Sequence, residues 1–477
     1  MKILKLFLKT SLIIVLIVVS IIVFRAYNSR NLPDLKSWNT IKPNPELLLN
    51  NDYNSFEEFV KADKIYITEN FKKINSENLG LFNKYNPKGI SYPLNTEVNY
   101  NASFVLDPGK NNTKGVIVLI HGLSDSPYHI YNLGKYFLGK GFYVFGLRMP
   151  GHGTLPSGLL DVKWQDWYKA VKWSMKKAGE LANERNNIPV YMGGFSTGGS
   201  LSIHYSLNAV SDDKLVIPKK IFLFSPAAGV SKLAVIGAWH KTLSWIDYFK
   251  KFAWLDILPE YDPAKYMSFT KNAGRQVFLL SELNKELAQK VKEKGLVEKL
   301  PSYISFESWV DATVNVSDLV DLYSVIGDKN DVLVIFDINH KFSHFMRKQI
   351  IENPPKNIDF SMNNSFEVHI LTNKVDSTGS NKGRAVGIFP LKNGKYGDNL
   401  FPDTNMYWPK RYFALSHICV PISPTNNLYG KDSYLNKLEI HGERQVLLIT
   451  SEDINRIRYN PFYELMTREL DRFIGAN

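Results

Sequence analysis

The 477-residue chain has a single cysteine, Cys419, so no intramolecular disulfide can brace it. It has no His-Glu-x-x-His pattern and no cysteine cluster, so no metal-ligand spacing is recognisable and neither metal nor cofactor is expected. It has no internal repeat and no long low-complexity tract, which argues against a solenoid or a disordered chain. The formal net charge is +12, yet basic residues nowhere interleave with aromatics in a run, so nucleic acid is not an expected partner. What remains is a globular mixture, 44% hydrophobic and 22% charged, long enough to bury a large core.

One long apolar run is present. Lys2, Lys5 and Lys9 precede an uncharged stretch from Thr10 to Phe24, and Arg25 closes it. As a helix this stretch spans roughly 22 Å, or about 28 Å counted from Leu6 with Lys9 snorkelling, close to a bilayer core. No small-residue cleavage pattern follows, so residues 1–25 are read as a membrane anchor, with a cleaved signal peptide as the alternative. Lysines before the span favour a cytoplasmic N-terminus and the body outside, in a single-pass arrangement; Arg25 and Arg30 pull the other way. A basic body suits an anionic membrane surface.

Residues 26–94 read as a linker and an N-terminal helical region. In "SFEEFVKADKIYITENFKKI", Phe56, Phe59, Ile65 and Phe71 recur at roughly helical spacing, with Ser55 as the cap. From residue 95 the pattern changes. Strand-length apolar runs, "GVIVLI", "FYVFGL", "IPVYMGGF", "KKIFLF", "SYISFES" and "DVLVIF", alternate with helical stretches. This predicts an α/β fold: a mostly parallel sheet with helices on both faces. The rhythm breaks at 228–300, which is aromatic-rich and then charged, and again over a less regular excursion, 341–410. The last helix, in "NPFYELMTRELDRFIG", has Pro461 near its start and Gly475 at its end.

Within this pattern, "VYMGGFSTGGS" places Ser196 where a strand must turn sharply into a helix. Gly194 and Gly198, two residues before and two after, supply the room such a strained corner needs. The bare motif is weak; a strand before it and a helix after it give it weight. The bland reading is a glycine-rich turn with a helix-capping serine. A hydroxyl presented at this corner is a candidate nucleophile. A negative oxygen formed beside it would need two aimed donors. The backbone N–H of Thr197 is one, and that of Leu123, after the strand of "VIVLIHGLSDSP", is the other. His121 is more simply structural.

"LIHGLSDSP", "RMPGHG" and "GGFSTGG", in that order, resemble the α/β-hydrolase superfamily, and most closely its monoacylglycerol-lipase and serine-aminopeptidase-like branch. The match is clear over residues 97–227, weaker over 301–340 and loose beyond. The resemblance implies an α/β-hydrolase core in two parts, 95–227 and 301–477, with a helical cap inserted at 228–300. It also implies a triad in the chain order serine, acid, histidine. The acid falls on Asp311 in "SYISFESWVDATV", with Asp337 in "VIFDINH" as the rival; a turn or capping role is the bland reading of Asp311. His340 and His344 hold the usual family position for the base. His417, in "RYFALSHICVPISPTNNLYG", resembles the histidine segment of members with a long excursion before it, and is preferred. His152 resembles a structural loop residue, and His129, His204, His240, His369 and His441 are read as core or surface.

The function implied is a membrane-anchored serine hydrolase that cleaves carboxylic esters through an acyl-enzyme, its partner a small-molecule acyl ester such as a lipid. Amide cleavage or acyl transfer by the same triad is an alternative; a noncatalytic binding protein on the same fold is the rival of another class.

Overall fold

Side chains along a strand alternate between faces, and this chain uses both. Val116, Val118 and Ile120 join one apolar cluster while Ile117 and Leu119 join another, all fully buried. A strand buried on both faces needs the unbroken apolar run that the sequence supplies.

The computed structural model describes residues 2–30, 32–95, 99–229, 247–311, 313–352, 365–375, 383–414, 420–436 and 457–475. The strands are β1 (Phe104–Leu106), β2 (Gly115–Ile120), β3 (Phe142–Leu147), β4 (Val190–Phe195), β5 (Lys220–Phe224), β6 (Trp254–Asp256), β7 (Phe269–Thr270), β8 (Ser302–Ser308), β9 (Val332–Phe336), β10 (Glu367–Asn373), β11 (Val386–Lys392) and β12 (Lys395–Tyr396). The longer helices are α1 (Lys2–Arg30), α2 (Phe56–Phe71), α3 (Tyr131–Gly139), α4 (Trp164–Glu184), α5 (Thr197–Ala209), α6 (Lys271–Glu293), α7 (Val316–Ile326) and α8 (Tyr463–Ile474).

Among the described residues one sheet runs in the order β1-β3-β2-β4-β5-β8-β9-β10-β11-β12. It is parallel from β3 to β10, with β1, β11 and β12 added antiparallel at its margins. Helices α2, α4, α5, α6 and α7 cover one face, and α3 and α8 the other. The predicted mostly parallel sheet, helical on both faces, is therefore the observed one.

Three features depart from the sequence reading. Ile65 is 61% exposed, whereas Val60, Tyr66 and Ile67 are buried with Phe56, Phe59 and Phe71. At 100° per residue, Ile65 falls off the stripe set by Phe56, Phe59, Val60 and Asp63. The excursion 341–410 is more regular than expected, since β11 and β12 extend the sheet there. The charged helix α6 of the 228–300 stretch packs within the helical layer: Asn284 Nδ2 donates to Ser200 O on α5 at 2.9 Å, and Lys285 reaches Asp318 on α7 at 2.8 Å. The described part of that stretch that is left to approach the strand ends is 247–270.

The N-terminal region is bound tightly to the body. Arg148, just after β3, is 2% exposed; its Nε donates to Asp63 of α2 at 2.8 Å and its Nη2 to Glu46 at 3.0 Å. The N–H groups of Ser103 and Gly151 donate to the same two carboxylates, at 2.8 and 2.7 Å. Paired and hydrogen-bonded on this scale, buried charges hold their geometry firmly. Outside this body, α1 carries an apolar window, Lys5–Phe24, long enough to cross a membrane and buried nowhere in the protein.

Candidate active site

The carboxyl ends of β2, β4, β5, β8 and β9 converge, which is where open α/β sheets place ligands. Ser196 follows β4 directly. Its backbone sits at φ 52°, ψ −112°, a conformation that side-chain-bearing residues rarely adopt. Three backbone bonds hold it there. Ser196 N–H donates to Phe224 O at 2.9 Å, and Ser196 O accepts from Ala227 and Ser200 at 3.0 and 3.1 Å. The flanking glycines are obligatory on space alone. A Cβ at Gly194 would lie 2.2 Å from the Gly198 carbonyl, and one at Gly198 would lie 2.2 Å from Ile120 O.

The loop after β2 comes up beside this serine. A Cβ on Gly122 would be 3.2 Å from the Ser196 Cβ. The next residue is Leu123, and Thr197 opens α5. Neither the Leu123 nor the Thr197 N–H donates to another described residue, and the Thr197 hydroxyl is also without a partner among them. Two N–H groups left over beside one strained serine form a site that can take a negative oxygen.

Buried polar contacts fix this loop from behind. His121 Nε2 accepts from Met149 N–H at 3.1 Å and its Nδ1 lies 2.8 Å from Gly122 O, the structural role expected of it. Asp125, fully buried, pairs with Lys265 and lies 3.5 Å from His129 Nε2. Burial by itself would raise the Asp125 carboxyl; His129 and Lys265 outweigh it and hold the group well below the usual carboxylate range. Tyr266 N–H donates to Ser124 O at 2.8 Å. Nothing in the sequence pointed to these residues, because a charged side chain reads as exposed by default.

Asp311 lies beyond β8. Its Oδ1 accepts from the N–H groups of Thr313 and Val314, at 2.7 and 3.0 Å, so it does close a turn, and that turn fixes the direction of its carboxylate. Glu307, on β8 and 0% exposed, was not anticipated. Burial, and after it the neighbouring Asp311 carboxyl, push its pKa well above the ordinary glutamate value.

Asp337 and His340, taken from sequence as rivals for two different roles, form a pair. His340 Nε2 is 2.5 Å from Asp337 Oδ2, which also accepts from the Thr372 hydroxyl at 2.8 Å. The hydrogen bond to Asp337 raises the His340 pKa. His344 is exposed, its ring 4.0 Å from that of Phe345. His204 meets Asn284 and His369 meets Glu469, inside the body. His417 and Cys419, like His240 and His441, lie outside the described residues. The chain on either side of His417 is described. Asn339, just past β9, donates from its backbone to Phe413 O at 2.7 Å and from its side chain to Tyr412 O at 2.9 Å. Val420 and Ile422 are buried in the cluster that contains Phe306 and Phe336.

Comparison with known proteins gives one family match: residues 111–316 fit the model described as serine aminopeptidase, S33. Comparison with curated proteins gives no match. Solved structures with a similar fold include a metagenome-derived lipolytic enzyme from the LipS and LipT study, at 18% identity, covering 50% of this chain and 87% of that one with a TM-score of 0.39. A monoglyceride lipase of Saccharomyces cerevisiae is similar at 13% identity, covering 49% of this chain and 81% of its own, TM-score 0.38. A monoacylglycerol lipase of Paleococcus ferrophilus is similar at 19% identity, covering 49% and 87%, TM-score 0.36. The family match and the sheet agree: residues 111–316 are similar to the serine aminopeptidase, S33 family and form the greater part of a serine-hydrolase core of the α/β-hydrolase kind.

Proposed function

We propose that this protein is a membrane-anchored serine hydrolase that cleaves carboxylic esters of apolar acyl groups, with Ser196 as nucleophile, His417 as base and Asp311 as the acid that orients it. The observation that carries the reading is the strained elbow at Ser196 with the unengaged N–H groups of Leu123 and Thr197 beside it. Ser196 Oγ attacks the acyl carbonyl as His417 takes its proton, and the carbonyl oxygen becomes an anion held by the two N–H groups. Collapse expels the alcohol, which leaves with the proton from His417. Water then gives a proton to His417 and attacks the acyl-enzyme, and the carboxylic acid departs as Ser196 regains its proton. Asp311 holds the imidazole in the required tautomer. The anchored flanks of the 415–419 stretch support the choice of His417.

The description of the matched family, a serine aminopeptidase, favours a second reading in which the same residues cleave an amide. A fluorophosphonate probe and a graded substrate series test both. Full-length protein should be labelled, and Ser196→Ala should not. p-Nitrophenyl esters of increasing chain length should be turned over well above amides of the same acyl groups. Absence of labelling in folded protein would sink the serine mechanism, and amides exceeding esters would transfer the reading to a peptidase. The lysines before the α1 apolar window support an N-terminus in the cytoplasm and a body outside, to be checked by protease accessibility on sealed vesicles.

A further inference from the structure

Between residues 79 and 92 a loop leaves three large apolar side chains in solvent: Leu81 is 60% exposed, Phe82 49% and Ile90 57%. They are neighbours, because Ile90 N–H donates to Leu81 O at 2.9 Å. The loop beneath them is rigid. Asn86 Nδ2 donates to Leu79 O at 2.8 Å and to Gly80 O at 3.2 Å, and the Tyr85 hydroxyl donates to Thr154 O at 3.0 Å. Lys84 is buried, its Nζ 3.7 Å from Glu260 and donating to Lys265 O at 2.9 Å. Exposed apolar residues scattered singly need no explanation, but three held together on a braced loop do.

Their position relative to α1 suggests what covers them. Leu32 and Leu35, just past the end of α1, pack on Ala253, Trp254 and Ile257. Lys251 Nζ donates to Leu32 O at 3.0 Å and to Asp34 Oδ1 at 2.9 Å. The 79–92 loop meets this same strip from both sides. Trp38, three residues after Leu35, stacks on Tyr85 with ring centroids 5.5 Å apart. Glu260, three residues after Ile257, accepts from Lys84 N–H at 2.8 Å. The loop therefore lies beside the place where the chain leaves α1, and Lys36 and Lys88 are exposed around it. Loop and site also share an end of the sheet, since Lys265, which the Lys84 side chain touches, pairs with Asp125 behind the Leu123 loop.

We propose that Leu81, Phe82 and Ile90 insert into the interfacial layer of the bilayer that α1 crosses, so that the body rests with the strand-end side of its sheet against the lipid. This rests on the anchor reading of α1. Apolar side chains in the acyl boundary with lysines at the headgroups are the chemistry of an interfacial contact. An enzyme so oriented takes an acyl substrate from the membrane it is standing on.

Full-length protein with Cys419→Ser is given one cysteine at a time, at Leu16, Phe82, Ile90 or Ile217. Each cysteine carries an environment-sensitive fluorophore, and the protein is placed in phosphatidylcholine–phosphatidylglycerol vesicles whose acyl chains hold a nitroxide quencher. Ile217, exposed just before β5 at the other end of the sheet, is the control. Quenching at positions 16, 82 and 90 but not 217 is the expected result. Quenching at 16 alone overturns the docking and leaves the anchor intact; quenching at none overturns both. A label at 82 that becomes apolar without being quenched assigns the patch to a second copy or another protein, and overturns the proposal. In parallel, the triple variant Leu81→Asn, Phe82→Asn, Ile90→Asn should raise KM for a vesicle-dissolved ester about fivefold or more, while kcat/KM on a water-soluble ester stays within about twofold. Unchanged KM on vesicles would count against it.

Discussion

Adding one methyl group at Gly198 tests the elbow more sharply than removing the serine does. A Cβ there would lie 2.2 Å from Ile120 O, 2.6 Å from Ile120 C and 2.7 Å from His121 O. Unstrained carbon–oxygen contacts need about 1 Å more than the shortest of these. The obstructing atoms are backbone, so no rotamer change relieves the clash, and Ile120 is held in the sheet by Leu147 on one side and Gly194 on the other. Either the first turn of α5 lifts or the end of β2 retreats. Both movements separate the Thr197 N–H from the Leu123 N–H. We expect Gly198→Ala to lose about 1–3 kcal/mol of stability or more. Misaligning one oxyanion donor should also cut kcat by about 100- to 1,000-fold. The control is Gly139→Ala at the end of α3, where a Cβ meets nothing within 4 Å. That change should be neutral or stabilising by up to about 1 kcal/mol, with full activity. Urea unfolding and p-nitrophenyl ester hydrolysis on both variants decide the matter. A Gly198→Ala protein with unaltered turnover and stability would show that the corner is not packed as described.

The choice of base is checked by single replacements: His417→Ala should lose about 10⁴-fold or more in kcat/KM and His340→Ala no more than about tenfold, with the reverse pattern refuting the assignment. With a histidine base, kcat/KM should climb through roughly pH 6–7 and do so equally in His340→Ala. Asp63→Ala leaves the buried Arg148 and the Ser103 N–H without their carboxylate and should lower unfolding stability by about 3–5 kcal/mol, read as a shift in the denaturant midpoint. Burial lowers His152 to about 4, its Nδ1 on Pro150 O and its Nε2 without a partner among the described residues. An unfolded chain binds that proton more readily from about pH 6.5 downward, so acidification to about pH 4 should remove about 3 kcal/mol, a loss that shrinks in His152→Asn.

The parallel sheet was legible because β2, β3 and β4 are buried on both faces, which demands unbroken apolar runs that no exposed segment would carry. The elbow was legible because close backbone approach tolerates only glycine at 194 and 198, and glycine is visible as a letter. Other features were not. Pro390 within β11 reads as a strand breaker, yet β11 is bordered on one side by only the two residues of β12, where a missing N–H is tolerated. α6 falls within the 228–300 stretch that the resemblance assigns to a cap; Ala273, Val277, Leu280, Ala288 and Val291 form a buried stripe between its charges, and spacing alone does not say which layer that stripe meets. Lys84 and Arg148 are buried through partners far away in sequence, and spacing along the chain carries no trace of such partners.

Those distant partners tie the N-terminal region to the chemistry. Glu46 and Asp63 fix Arg148 and the Gly151 turn after β3; Arg148 in turn donates to His152 O at 3.0 Å. His121, on the adjacent β2 loop, accepts from Met149 N–H within the same turn. On the other side, Lys84 bonds to Lys265 O, and Lys265 pairs with Asp125 two residues past Leu123. The loop that carries the Leu123 N–H is thus buttressed twice by residues between Glu46 and Lys84. An oxyanion donor is useful only if its direction is set before charge develops, because reorganising it during the reaction would return the gain. A chain segment that begins just past α1 therefore belongs to the rigid frame around the Ser196 elbow. Severing it would unpair Arg148 and loosen Asp125, reaching the candidate site through the loop after β2.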